Sequence, residues 1–239
     1  MSYSSYVLNG KSVSEGMKLL LGFLCVNDLL TKTLVFFVDG ARNLNSSIAS
    51  MFSFANTKVI LDWYHLRKKM EEQLSLICNN RHYRNEVLQK IIPVLWRGDV
   101  DGAIAILSSL EKSMVKNNDS LVYLTGYLER VRSSIPNYIM RDALGLRNSS
   151  NRGEKSNDIV VASRQKHNGM SWSDTDSTSL ASISAIIYNK ELNKWIENGT
   201  LSFCLINRTT PKRGKRYRKR TDISYSNSQS IKKSSRSIA

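Results

Sequence analysis

Three carboxylates and one histidine stand at positions where they could do chemistry. Asp39 ends the run LVFFVDG (residues 34–40), and Asp62 ends TKVILDW (residues 57–63). His65 follows Asp62 by three residues, in Asp62-Trp63-Tyr64-His65. Glu154 lies in a basic stretch, NSSNRGEKSNDIVVASRQKHNG (residues 148–169). Acids at the carboxyl ends of neighbouring strands can face one crevice. As hard oxygen donors they suit Mg²⁺ or Mn²⁺. One helical turn brings an acid and a histidine three residues apart close together. Each residue also has a purely structural reading. Asp39-Gly40 serves as a turn, Asp62 as a helix cap, and Glu154 as an exposed acid paired with the cations around it. Those cations, Arg147, Arg152, Lys155, Arg164 and Lys166, are the kind that hold nucleic-acid phosphates without reading sequence.

The elements that must position these groups can be read from periodicity. Residues 34–40 hold five consecutive apolar residues before Asp-Gly, the pattern of a strand buried on both faces. Residues 57–63 repeat that pattern, and 42–56 leave room for one helix between them. Strand–helix–strand at this spacing predicts a βαβ unit with parallel strands. A helix is expected over 12–31, with Val13, Met17, Leu20, Leu21, Leu24 and Leu30 on its apolar face. Residues 1–10 read as the end of a strand and a turn. Successive helices are expected over about 64–79, 83–96, 99–115 and 118–133, the third capped by Asp99. A polar loop follows at 145–153. A helix then starts near Glu154 and runs to about Lys166, followed by a turn at 167–174. A last helix, about 177–197, carries Leu180, Ile183, Ile187, Leu192 and Trp195.

Composition bounds the function. The chain has 239 residues, 41% of them hydrophobic and 23% charged, with only three Pro and 12 Gly. That excludes collagen-like and globally disordered chains and favours a helix-rich fold. The run LLLGFLCV (residues 19–26) is too short to cross a bilayer and reads as a buried helix. Cys25, Cys78 and Cys204 are far apart with no CxxC, so they read as core residues of a reducing, intracellular protein. The formal charge is +15, of which +9 falls in residues 211–239. A positive field of this size attracts polyanions, nucleic acid first among them. Lys212, Arg213, Lys215 and Arg216 begin the basic tail, which is expected to be mobile in isolation.

Three segments together resemble a known family. LVFFVDGARNL with Asp39, ILDWYHL with Asp62 and His65, and GLRNSSNRGEKSNDIVVASRQKHNGMSWS with Glu154 are similar to the DDE-type, RNase H-like transposases of bacterial insertion sequences, of the Mutator-like superfamily. The resemblance covers roughly residues 30–200. It implies a helix-rich α/β chain with a partial RNase H-like core, whose short parallel strands end at Asp39 and Asp62, interrupted by an all-α insertion. Residues 1–63 would be the incomplete core, 64–145 the helical insertion, 146–200 the last helices of the catalytic core, and 201–239 a basic tail.

In such enzymes three acids hold two Mg²⁺ or Mn²⁺ ions for phosphoryl transfer on DNA ends. The resemblance makes Asp39 and Glu154 two of these metal-holding catalytic acids. Asp62 and His65 would orient a ligand or contact DNA. Arg147, Arg152, Lys155, Arg164, Lys166 and the tail cations Lys212, Arg213, Lys215 and Arg216 would bind DNA. The family's first catalytic Asp has no counterpart here, since neither Glu15 nor Asp28 follows a buried strand. The expectation is therefore a truncated transposase, weak or inactive alone, in a bacterial cytoplasm with the nucleoid, compatible with a homo-oligomer and with no membrane partner. A non-enzymatic DNA-binding protein is the alternative reading, and a stand-alone RNase H-like nuclease a third.

Overall fold

Parallel strands cannot be joined by a tight turn, so the chain between them must cross over. In this computed structural model, which describes residues 12–165 and 171–201, it does so through a helix. Strand β1 (Leu34–Val38) pairs in parallel with β2 (Thr57–Leu61), in a register running from Leu34 opposite Thr57 to Val38 opposite Leu61. Helix α2 (Arg42–Met51) makes the crossover, and α1 (Val13–Val26) precedes the unit. The result is a helix-rich α/β architecture with a small two-stranded parallel sheet among the described residues. The strands are not buried on both faces as their composition predicts. Val35 is exposed, whereas Val38, Ile60 and Leu61 are buried. Burial is confined to the carboxyl ends, where the helices that follow cover the sheet.

Those helices are α3 (Trp63–Ile77), α4 (Arg81–Trp96), α5 (Val100–Ser108), α6 (Asn118–Val131) and α7 (Tyr138–Ala143). Each starts where an Asp or Asn side chain accepts a backbone N–H of the first turn: Asp62, Asn80, Asp99, Asn117 and Asn137. Helices α3 to α6 each bury a stripe at helical spacing, such as Leu66, Met70, Leu74 and Ile77 on α3, or Leu124, Leu128 and Val131 on α6, and α7 buries Tyr138. These side chains join Val38, Ile48, Phe52, Ile60 and Leu61 in one continuous core that runs from Met17 to Tyr138. Full burial of each large aliphatic side chain contributes roughly 1.5–3 kcal/mol.

Several boundaries differ from the expectation. The helix expected over 99–115 stops at Ser108. The chain beyond it bonds instead to the end of α3, with Asn79 N–H donating to Met114 and Lys116 N–H to Ile77. Helix α1 ends at Val26, five residues short of the expected 31, because Asn27 caps it and Asp28 turns into the left-handed region at φ 53. Val13 is exposed, while Phe23, off the expected face, is buried. Cys25 is exposed rather than in the core; Cys78 is buried, and Cys204 lies outside the described residues. Helix α7 has six residues, too few to show a period in sequence.

Helix α8 (Asn151–Asn157) continues through a π-helical turn (Asp158–Ala162) into α9 (Ser163–Gln165). It starts three residues before Glu154, which therefore sits inside its first turn rather than opening it. The expected last helix is two helices. α10 (Asp174–Tyr188) and α11 (Leu192–Asn198) are separated by Lys190 in the left-handed region at φ 62. Ile183, Ile187 and Trp195, expected on the packed face, are exposed. α10 instead packs on the π-helical turn and buries the small Ala181 and Ala185, which permit a close approach. The expectations for residues 1–10, for the first half of the 167–174 turn and for the basic tail lie outside the described residues. Among the described residues no helix is long and apolar enough to cross a membrane.

Candidate functional site

Asp62 follows β2 directly and is almost fully buried. Its Oδ1 accepts the backbone N–H groups of Tyr64 (2.7 Å) and His65 (3.2 Å), so it caps α3. Its Oδ2 accepts the N–H of Ser150, the residue before α8. Both oxygens of a buried carboxylate are thus satisfied by backbone donors, as burial of a charge requires. The same junction is bolted at other points. Trp63 N–H donates to Asn148 O (3.0 Å), and Asn148 Nδ2 donates to Tyr138 O (2.9 Å). Tyr138 Oη, fully buried, donates to Leu61 O at 2.7 Å. Its ring stacks on Trp96 with centroids 5.4 Å apart, and Trp63 meets Trp96 edge-on at 4.6 Å. Burial pushes the Tyr138 hydroxyl's pKa up, with smaller contributions from nearby Tyr127 and Asp62.

With the loop before α8 held in this way, Glu154 reaches α3. His65 Nε2 lies 3.3 Å from Glu154 Oε1, both side chains partly exposed. Two segments far apart in sequence thereby contribute to one place.

Asp39 follows β1 and is exposed; its Oδ1 accepts Ala41 N–H at 2.9 Å, an Asx turn into α2. Gly40 takes φ +91 and is buried, and a Cβ there would sit 2.9 Å from Tyr127 Oη. Glycine meets both demands because it tolerates that φ and leaves room for the ring. Arg130 donates from Nη1 to Gly40 O at 3.0 Å, tying the turn to α6. Tyr127 is buried, which pushes its pKa up to about 12; Arg130 opposes that shift and Asp39 and Tyr123 add to it.

Between α3, α6 and the Asp39 turn lies an open cleft of about 750 Å³. Asp39, His65, Lys68, Lys69, Glu72, Tyr123, Tyr127 and Arg130 line it. Asp39 and His65 therefore share one cleft, and Glu154, not part of its lining, touches His65. Lys69 Nζ lies 5.2 Å from the Tyr123 ring and 5.9 Å from the Tyr127 ring, and the Arg130 guanidinium 5.3 Å from the latter.

Of these donors His65 and Glu154 meet directly, and Asp39 lines the same cleft as His65. Among the described residues no group of three or more His, Cys, Asp or Glu side chains is arranged to hold a metal ion. Glu154 Oε1 is directed at His65, and Asp62 is wholly committed to backbone N–H groups. No catalytic step through Mg²⁺ or Mn²⁺ follows from them.

The expected cations divide in the same way. Arg147 and Lys155 are exposed, and Arg147 O accepts Arg141 Nη2 at 2.6 Å. Arg152 and Arg164 lie on α8 and α9. Lys166, Lys212, Arg213, Lys215 and Arg216 lie outside the described residues. Sequence reasoning missed the cleft's own cations, Lys68, Lys69 and Arg130, and its tyrosines. A signal existed: Tyr123, Tyr127 and Arg130 are four and three residues apart, one face of a helix. Compared with protein-family models, curated proteins and solved structures, the chain matches none of them.

Proposed function

We propose that this chain is part of a DDE-type, RNase H-like transposase of a bacterial insertion sequence, of the Mutator-like superfamily, and that it acts on DNA in the bacterial cytoplasm. The observation that carries the reading is one junction. Asp39, directly after β1, and His65, in the first turn of the helix that follows β2, line one cleft, and His65 touches Glu154 at the start of a later helix. In this reading Asp39 and Glu154 are the catalytic acids. Asp62 is a positioning residue that sets both α3 and α8, and His65 orients Glu154. The cations follow from the +15 charge and bind DNA phosphates. Two acids without a third hold divalent ions poorly, so catalysis by the chain alone should be feeble.

A second reading, a DNA-binding protein without catalysis, draws on a specific observation: the described residues include no three-donor metal cluster. The two readings separate in one set of assays. The full chain is titrated with mixed-sequence duplex DNA over a range of salt, and incubated with supercoiled plasmid and Mn²⁺. The transposase reading expects steeply salt-dependent binding and slow nicking that Glu154→Gln and Asp39→Asn both abolish. Binding with no nicking, unchanged or strengthened by Asp39→Asn, selects the non-enzymatic reading. Absence of any DNA binding overturns both.

A further inference from the structure

We infer that the α3–α6 wall of the cleft is a second DNA-backbone site, in which Lys69 and Arg130 hold phosphates beside the Asp39 turn. This rests on the DNA reading above and gives it a location within the helical block.

Charge alone would not single out these two residues. Lys68 faces Glu72 at 3.9 Å, which offsets it, and Asp39 adds a second acid to the cleft. Among the described residues neither Lys69 nor Arg130 has a carboxylate within ion-pair distance. Their partners are aromatic rings and a carbonyl: Tyr123 and Tyr127 for Lys69, Tyr127 and Gly40 O for Arg130. A ring face orders a cation without cancelling its charge. Both side chains are therefore held in place before any ligand arrives, which lowers the entropy lost when a phosphate is bound. The unused donors of the ammonium and the guanidinium fork remain for phosphate oxygens. Tyr123 is half-exposed at the same wall and offers an aromatic surface to a sugar or base. The cleft is open and, at about 750 Å³, far roomier than one phosphate ion needs, which favours a strand passing through it.

The test uses the full chain, duplex DNA of mixed sequence, and the slope of log affinity against log salt. Lys69→Gln with Arg130→Gln should lower that slope by about 2, one unit for each phosphate no longer neutralised, and weaken binding on the order of tenfold. Lys90→Gln, an exposed cation on α4 outside the cleft, should lower neither. Removing the Arg130 bond to Gly40 could unfold the first variant, so Lys68→Gln with Lys69→Gln, neither bonded to Gly40, is measured beside it. That pair should lower the slope by about 1. An unchanged slope in a folded variant overturns the inference while the parent's binding leaves the DNA reading standing. A parent chain that binds no DNA removes both. Calorimetry with inorganic phosphate completes the set: loss of phosphate binding in the variants with duplex affinity intact would make this a small-anion site and sink the DNA assignment.

Discussion

Asp62 holds the backbone N–H of Ser150, so the end of a strand sets the start of a helix 88 residues further along the chain. One buried carboxylate caps α3 with one oxygen and anchors α8 with the other. The His65–Glu154 contact depends on both functions, because each partner sits on one of the two helices.

Asp62→Asn separates these roles. The amide oxygen can still cap α3, but its NH₂ group would face the Ser150 N–H, donor against donor. The expected cost is ~1–3 kcal/mol, that of an unsatisfied buried donor. Urea unfolding monitored by circular dichroism reads it, and hydrogen exchange should show faster exchange at Ser150 while α3 stays protected.

Gly40→Ala tests the turn that carries Asp39. Its φ of +91 and the 2.9 Å approach to Tyr127 Oη leave no room for a methyl group. The expected destabilisation is ~1–3 kcal/mol from backbone strain. Thermal melts of the two proteins compare them directly.

Alkaline pH should destabilise the fold through Tyr127. Burial raises its pKa from 10.0 to about 12, so the native state prefers the neutral phenol. The associated stability is complete below pH 10 and is lost as pH rises through 12, since the unfolded chain releases the proton first. Its size is on the order of 2–3 kcal/mol. Tyr127→Phe should flatten the fall in unfolding free energy over that window. Burial raises Tyr138 in the same direction, so some loss remains in the variant.

The His65–Glu154 pair should matter little to stability. Both side chains are substantially exposed, and such pairs are worth about 0–1 kcal/mol. A double-mutant cycle with His65→Ala and Glu154→Ala should return a coupling energy in that range. A coupling well above it would mean that the pair is a structural brace rather than a site component.

What could be read from the chain alone was local. The alternation of strand, helix and strand set the βαβ unit, because β-branched and aromatic runs ending at an acid need no distant partner to be recognised. Asp62 and Asp99 were legible as caps because a cap bonds within three residues. The order of Asp39, Asp62, His65 and Glu154 was legible too. Their arrangement was not. Tertiary packing assigned Asp62 to a purely backbone duty, paired His65 with Glu154, and halted the 99–115 helix by bonding its last residues to the end of α3. It also made the cleft. The buried stripe of α6 packs on that of α3, and this fixes the rotation of both helices about their axes. That rotation turns Lys69, Tyr123, Tyr127 and Arg130 toward Asp39. Spacing along a helix says which residues share a face; only the neighbour it packs against decides where that face points.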